Sequence, residues 1–114
     1  MAIGKIKNAI GAVSIVRTNA SAAAAGDLLY QDDVIETGDD GHADVLFVDG
    51  TKFHLYANSQ LVLDQFIFGT DNLPDSARLR VAKGKFGLLA GKLAAAGRFT
   101  IETPLGRIQN VLPV

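Results

Sequence analysis

Apolar and polar residues alternate with a period of two along most of this chain, and this alternation limits the fold more than any other feature. β-branched and aromatic residues dominate the alternating segments, and Gly, Asp, Asn or Pro residues separate them. Short strands punctuated by turn residues roughly every 8–12 positions are typical of one all-β domain. We therefore predict a single compact domain of about seven or eight short strands in hairpins, partly solenoid- or sandwich-like. The segments are 12–17, 42–48, 51–56, 60–68, 77–81, 84–91, 98–103 and 107–112.

Three remaining segments are expected to be irregular. The alanine-rich segment 18–27 is too short for a stable helix, so it predicts a loop or a single turn. The glycine-bounded segment 91–98 predicts a strand end and a turn. The segment "GTDNLPDS" (69–76) contains Pro74 and several acid or amide side chains, which favour a surface loop.

The composition excludes several classes of function. With 11 basic and 12 acidic residues, the chain lacks the positive charge expected of a nucleic-acid-binding protein. No apolar run approaches the ~20 residues that membrane insertion requires, and the first residues lack the apolar core of a signal peptide. Cysteine is absent, which excludes disulfides, thiolate metal sites and a cysteine nucleophile. With no linker, residues 1–114 form one domain, which we interpret as a fragment of a longer protein.

The pair Asp49-Gly50 lies between two alternating segments and predicts a structural turn. A two-residue type I′ turn requires a positive φ at both positions, which aspartate tolerates and glycine adopts freely. The predicted register places Leu46 opposite Phe53 and Val45 opposite His54. The predicted core face then contains Leu46, Val48, Phe53 and Leu55, whereas the other face contains Val45, Phe47, Lys52, His54 and Tyr56.

This register bears on metal binding and catalysis. It directs His42 and His54 to opposite faces of the sheet, which argues against a shared metal ion. Asp39, Asp40 and Asp44 lack the spacing of an EF-hand loop, and segment 84–92 lacks the first glycine and the hydroxyl residue of a phosphate-binding loop. We therefore expect no catalytic residue, no cofactor and no metal, and we expect that the protein is not an enzyme.

The segment 26–66 and several later positions resemble the FecR domain, named for the periplasmic regulator of iron-dicitrate uptake. The resemblance covers residues 3–108 and is closest to versions found in long secreted bacterial proteins. It is carried by Gly26-Asp27, Asp33-Val34-Ile35, Thr37-Gly38, Gly41-His42-Ala43, Phe47, Asp49-Gly50-Thr51, Leu55, Asn58-Ser59, Leu61, Leu63, Gly84, Gly91-Lys92-Leu93 and "IETPLGRI" (101–108).

The resemblance implies an extracytoplasmic, non-enzymatic, all-β domain that takes part in signalling. The sequence departs from the family after "TPLGRI", where the closing C-terminal strand is diverged or missing. An incomplete sheet leaves an unpaired edge, which favours strand exchange or dimerisation. We therefore predict an interaction edge at Arg107, Ile108, Gln109 and Val111, with Arg107 and Gln109 exposed and Ile108 packed inward.

Two functional hypotheses follow. The first is a protein-interaction or signal-sensing module that binds a protein partner or a second copy of itself. The alternative is a cell-envelope or carbohydrate-binding module of a secreted adhesin, in which Tyr30, Tyr56 or Phe68 stacks on sugars or peptidoglycan.

Overall fold

The protein folds into two β-sheets. A computed structural model describes residues 2–68, 74–89, 91–95, 98–104 and 106–108. The first sheet has the order β10-β7-β6-β1-β4 and the second β12-β11-β9-β8-β5-β2-β3. All described strand pairs are antiparallel except β9 and β11, which run parallel. The elements are β1 (Gly4–Ile10), β2 (Val13–Val16), β3 (Ala20–Ala22), β4 (Leu28–Leu29), β5 (Val34–Thr37), β6 (His42–Phe47), β7 (Lys52–Leu55), β8 (Gln60–Phe68), β9 (Pro74–Lys83), β10 (Phe86–Leu89), α1 (Lys92–Ala95), β11 (Phe99–Thr103) and β12 (Gly106–Ile108).

One hydrophobic core joins the two sheets. Phe47 of the first sheet lies 5.5 Å from Phe66 and 5.9 Å from Phe99 of the second, measured between ring centroids. The alternation of apolar and polar residues places one face of each sheet in this core. The all-β, sandwich-like fold class predicted from the alternation is therefore confirmed.

The chain moves back and forth between the sheets. It crosses to the other sheet after β1, β3, β4, β5, β7, β9 and β10, as the strand orders show. Most neighbours within each sheet are therefore brought together from distant parts of the sequence.

The predicted hairpin register at Asp49-Gly50 is wrong by one residue. Val45 pairs with Phe53 and Leu46 with Lys52, so the loop contains three residues, 48–50. The core face consequently carries Val45 and Phe47, which are 1% and 2% exposed, whereas Val48 is 47% exposed. Three-residue hairpin loops close with a residue in the left-handed region, and Gly50 has a φ of 88°. Asp49 does not share the positive φ that the sequence predicted for it.

Other differences arise where the alternating pattern is short or absent. β1, β3, β4 and β5 were not predicted as strands, and segment 18–27 contains β3 rather than only a loop. Segment 91–98 contains the four-residue helix α1. Pro74 begins β9 and pairs with Phe68, so the predicted loop 69–76 is shorter than expected at its C-terminal end, while residues 69–73 lie outside the described residues. Proline is tolerated at the first residue of a strand.

The C-terminal segment forms a hairpin within the second sheet. β11 pairs with β9 on one side and with β12 on the other, with Glu102 opposite Arg107. β12 forms one edge of the sheet. The segment after Ile108, where the sequence predicts a diverged or missing closing strand, lies outside the described residues. Gln109 and Val111 are part of that segment. Within the described part of the chain, no helix is long and apolar enough to cross a bilayer.

Candidate functional site

Asp49 is a structural residue that joins the β6–β7 hairpin to helix α1. Its side chain is buried, at 5% exposure. Oδ1 accepts a hydrogen bond from the Thr51 amide at 3.0 Å. Oδ2 accepts bonds from the Thr51 hydroxyl at 2.8 Å and from the Leu93 amide at 3.1 Å. Both carboxylate oxygens are therefore engaged by the fold, which accounts for Asp49 without a chemical role.

Gly91 completes this junction through its small size. A Cβ atom at this position would lie 2.3 Å from the Thr51 nitrogen, so a larger residue cannot be placed without moving the hairpin. Its amide donates a hydrogen bond of 3.0 Å to the Thr51 hydroxyl. The sequence predicted a turn at Asp49-Gly50 but not its contact with residues 91–93, because the partners are separated by about forty positions.

Four polar side chains meet on the outer face of the first sheet, and we name them the histidine patch: His42, Asp44, His54 and Tyr56. Asp44 and His54 are directly opposite on β6 and β7. The carboxylate of Asp44 is hydrogen-bonded to Nδ1 of His54. The rings of His42 and His54 lie 5.8 Å apart between centroids, and Tyr56 contacts the His54 ring edge-on at 4.4 Å.

The histidine patch corrects the prediction that His42 and His54 point to opposite faces. The three-residue loop pairs even-numbered residues with even-numbered residues, so both imidazoles lie on the outer face. Side chains of His54 and Asp44 are 33% and 43% exposed. They border an open groove of about 350 Å³, which is also lined by Lys7, Lys52 and Leu89. The patch is therefore accessible to solvent and small ligands.

The aspartates considered for calcium binding do not converge. Asp40 accepts a hydrogen bond of 3.1 Å from the Ala12 amide, whereas Asp44 contacts His54. Among the described residues, no group of three or more His, Asp or Glu side chains is arranged to hold a metal ion.

An ion pair between the half-exposed Arg17 and the buried Asp33 was not predicted from the sequence. The Arg17 guanidinium donates to both carboxylate oxygens, at 2.8 Å and 3.0 Å. Asp33 is 3% exposed. The hydrogen bond from Arg17 to Asp33 raises the pKa of the guanidinium above its ordinary value. The guanidinium also lies 5.2 Å from the Tyr30 ring centroid. The contacts of Arg17 with Tyr30 and Asp33 therefore stabilise the β4–β5 connection.

The tyrosines considered for sugar stacking lie apart. Tyr30 is 39% exposed and contacts Arg17, and Tyr56 is 44% exposed and contacts His54. They line different grooves. The Phe68 side chain lies outside the described side chains. The two tyrosines do not form one stacking platform.

The predicted interaction edge maps to β12. Thr103 and Gly106 are separated by two residues in the sequence and pair with each other, as do Glu102 with Arg107 and Ile101 with Ile108. Hydrogen-bonded and non-hydrogen-bonded pairs alternate along an antiparallel ladder, and the pair beside a two-residue turn is hydrogen-bonded. The amide and carbonyl of Arg107 therefore point away from β11, towards a side on which no described strand pairs.

Comparison with known proteins gives one match. The protein-family model described as FecR protein matches residues 33–110, more than half of the chain. No curated protein and no solved structure matches.

Proposed function

The chain belongs to the FecR family, which is consistent with a domain of a signalling-related periplasmic regulator, and from this premise we propose that it is a non-enzymatic, extracytoplasmic protein-interaction or signal-sensing module. Its partner is a neighbouring domain or a second copy of the chain. The mode of binding is addition of a strand to β12.

The observation that carries this proposal is the open side of β12. The Arg107 amide and carbonyl face away from β11, and no described strand pairs with them. Unpaired edge groups are a template for an incoming extended segment, since backbone hydrogen bonds supply affinity and alternate side chains supply specificity. This refines the sequence-based expectation for the C-terminal segment, because β11 is paired on both sides whereas β12 is paired on one side among the described strands.

The roles of the buried polar residues support binding rather than catalysis. Asp33 and Asp49 hold Arg17 and the start of helix α1, respectively. Thr37 donates to the Tyr56 carbonyl and accepts from the Ser59 amide, which ties two loops together. These side chains stabilise connections between strands, and a rigid scaffold of this kind presents its edges in a fixed geometry.

A proline scan of the two edges of the second sheet tests the proposal. Arg107→Pro removes the outward amide but no hydrogen bond of the β11–β12 ladder, and proline is tolerated where an edge amide faces solvent. The matched control is Ala22→Pro at the opposite edge, on β3. The Ala23 amide bonds to the Val13 carbonyl, and hydrogen-bonded and non-hydrogen-bonded pairs alternate along the ladder. Ile15 with Ser21 is therefore a hydrogen-bonded pair, and Ser14 with Ala22 between them is not. The Ala22 amide consequently also faces outward.

Sedimentation equilibrium over a range of protein concentrations is the measurement. We expect concentration-dependent dimerisation of the unaltered chain, loss of dimerisation in Arg107→Pro, and retention in Ala22→Pro. Melting temperatures of all three proteins show whether the fold is intact. A monomer at every concentration, or equal effects of the two prolines, would contradict strand addition at β12 as the route of self-association.

A further inference from the structure

The histidine patch has no part in the proposed strand addition, yet its geometry is specific. β6 and β7 are interior strands of the first sheet, flanked by β1 and β10. The backbone beneath His42 and His54 is therefore fixed by hydrogen bonds on both sides. The His42 ring lies near the rings of His54 and Tyr56, and no hydrogen bond to its nitrogens is found within the described part of the chain. Its two nitrogens are consequently available to a ligand from solvent.

The separation of the two imidazoles suits a shared metal ion. A metal–nitrogen bond of about 2.0–2.1 Å places the ion about 3.2 Å from the ring centroid. Two imidazoles on one ion then have centroids about 5.2 Å apart at a tetrahedral angle and about 6.4 Å apart when opposite. The observed separation of 5.8 Å lies between these values.

Asp44 prepares His54 for metal binding. A carboxylate accepts hydrogen bonds, so Nδ1 of His54 donates to Asp44 and the neutral ring keeps its lone pair on Nε2. A carboxylate behind a metal-binding histidine orients the ring and raises its basicity. Asp44 is thus a positioning residue rather than a direct ligand.

The donor set determines the class of metal. Imidazole nitrogens suit Cu²⁺, Ni²⁺ and Zn²⁺, whereas Ca²⁺ and Mg²⁺ require oxygen ligands. Among divalent ions, Cu²⁺ binds a given nitrogen site most tightly. Two protein ligands leave coordination positions open for water or for a group from another molecule.

We propose that His42 and His54 form a two-imidazole site for a divalent transition-metal ion, Cu²⁺ in preference to Ni²⁺ or Zn²⁺, with Asp44 positioning His54. This replaces the expectation of no metal, which rested on a register that separated the two histidines. The site is independent of β12 and of the proposed self-association.

Titration of the untagged chain with Cu²⁺, followed by calorimetry and electron paramagnetic resonance, tests the site. We expect a spectrum with two coordinated imidazole nitrogens in the unaltered chain. His42→Ala and His54→Ala should each lower the Cu²⁺ affinity at least about tenfold, with one nitrogen remaining. Lys52→Ala is the matched control, since Lys52 lies on the same face of β7 but supplies no imidazole, and it should retain the affinity.

Two variants separate the positioning role of Asp44 from its charge. Asp44→Ala should lower the affinity about tenfold, whereas Asp44→Asn keeps an acceptor oxygen and should recover part of this loss. Affinity should also fall on acidification, because protons compete for imidazole nitrogens. Unchanged affinity in the His42→Ala/His54→Ala double variant, or a single coordinated nitrogen in the unaltered chain, would overturn the site. Full affinity in Asp44→Ala would overturn the positioning role.

Discussion

At the scale of single residues, Asp49 shows how a turn residue acquires a tertiary role. Its carboxylate accepts three hydrogen bonds, two from Thr51 and one from Leu93, while its own carbonyl accepts one from Lys92. From the sequence alone, Asp49→Asn is expected to be nearly neutral, because asparagine adopts the same turn conformations. The hydrogen bonds to Leu93 and Thr51 change that expectation.

Asp49→Asn is predicted to lower the free energy of unfolding by about 2–3 kcal/mol. In asparagine, an NH₂ group replaces one of the two acceptor oxygens. This NH₂ group then faces a backbone N–H or hydroxyl donor in a buried site, so neither the NH₂ group nor the donor that it faces has an acceptor. Urea denaturation followed by circular dichroism measures the change. Asp39→Asn, at an exposed turn, is the control and is expected to stay within about 0.5 kcal/mol of the unaltered chain. An equally small effect at Asp49 would show that the three hydrogen bonds contribute little.

At the scale of elements, the β6–β7 hairpin shows what can be predicted from sequence. Alternation alone places odd-numbered residues of both strands in the core, since Val45, Phe47, Phe53 and Leu55 are apolar while Asp44, Lys52 and His54 are polar. Only a loop with an odd number of residues pairs odd positions with odd positions, so the alternation is compatible with the three-residue loop and not with the two-residue turn. The Asp49-Gly50 pair taken by itself favours a two-residue turn, and such a turn would place the two histidines on opposite faces.

Phe47→Ala and Val48→Ala are predicted to have very different effects on stability. Phe47 contacts Phe53, Phe66 and Phe99 in the core, so its truncation should cost about 3–5 kcal/mol. Val48 is 47% exposed at the loop, so its truncation should cost less than about 1 kcal/mol. Thermal and urea unfolding of both variants provide the measurement. The opposite ranking would restore the two-residue turn and place the histidines on separate faces.

At the scale of the whole molecule, the strand class was predictable but the assembly of the strands was not. Periodicity identifies strands such as β8 with its buried Leu61 and Leu63. It does not specify that β9 lies between β8 and β11, because such pairings depend on contacts remote in sequence. β4 has two residues and carries too little pattern to be recognised. Helix α1 is held by the contact of Leu93 with Asp49, which no local propensity reveals.

The two sheets are predicted to unfold as one unit. The shared core contains Ile35 of the second sheet and Phe53 of the first, and both are almost fully buried. Native-state hydrogen exchange should therefore give similar opening free energies for their amides, within about 1 kcal/mol. Gln60, the first residue of β8, serves as the reference for local fraying. A gap of several kcal/mol between Ile35 and Phe53 would show that the sheets open separately.

The repeated crossing of the chain between the sheets has a consequence for how the protein is made. Six of the ten described strand pairs join strands that are not consecutive in the chain, among them β1 with β6 and β9 with β11. A topology with such a high contact order pays the entropy of loop closure before its contacts form, so folding is slow. During translation, β1 must wait for β6 to emerge, and one side of β9 stays unpaired until β11 has been synthesised. A chaperone that shields exposed strands during synthesis or export would therefore matter more to this domain than to a helical bundle of the same length.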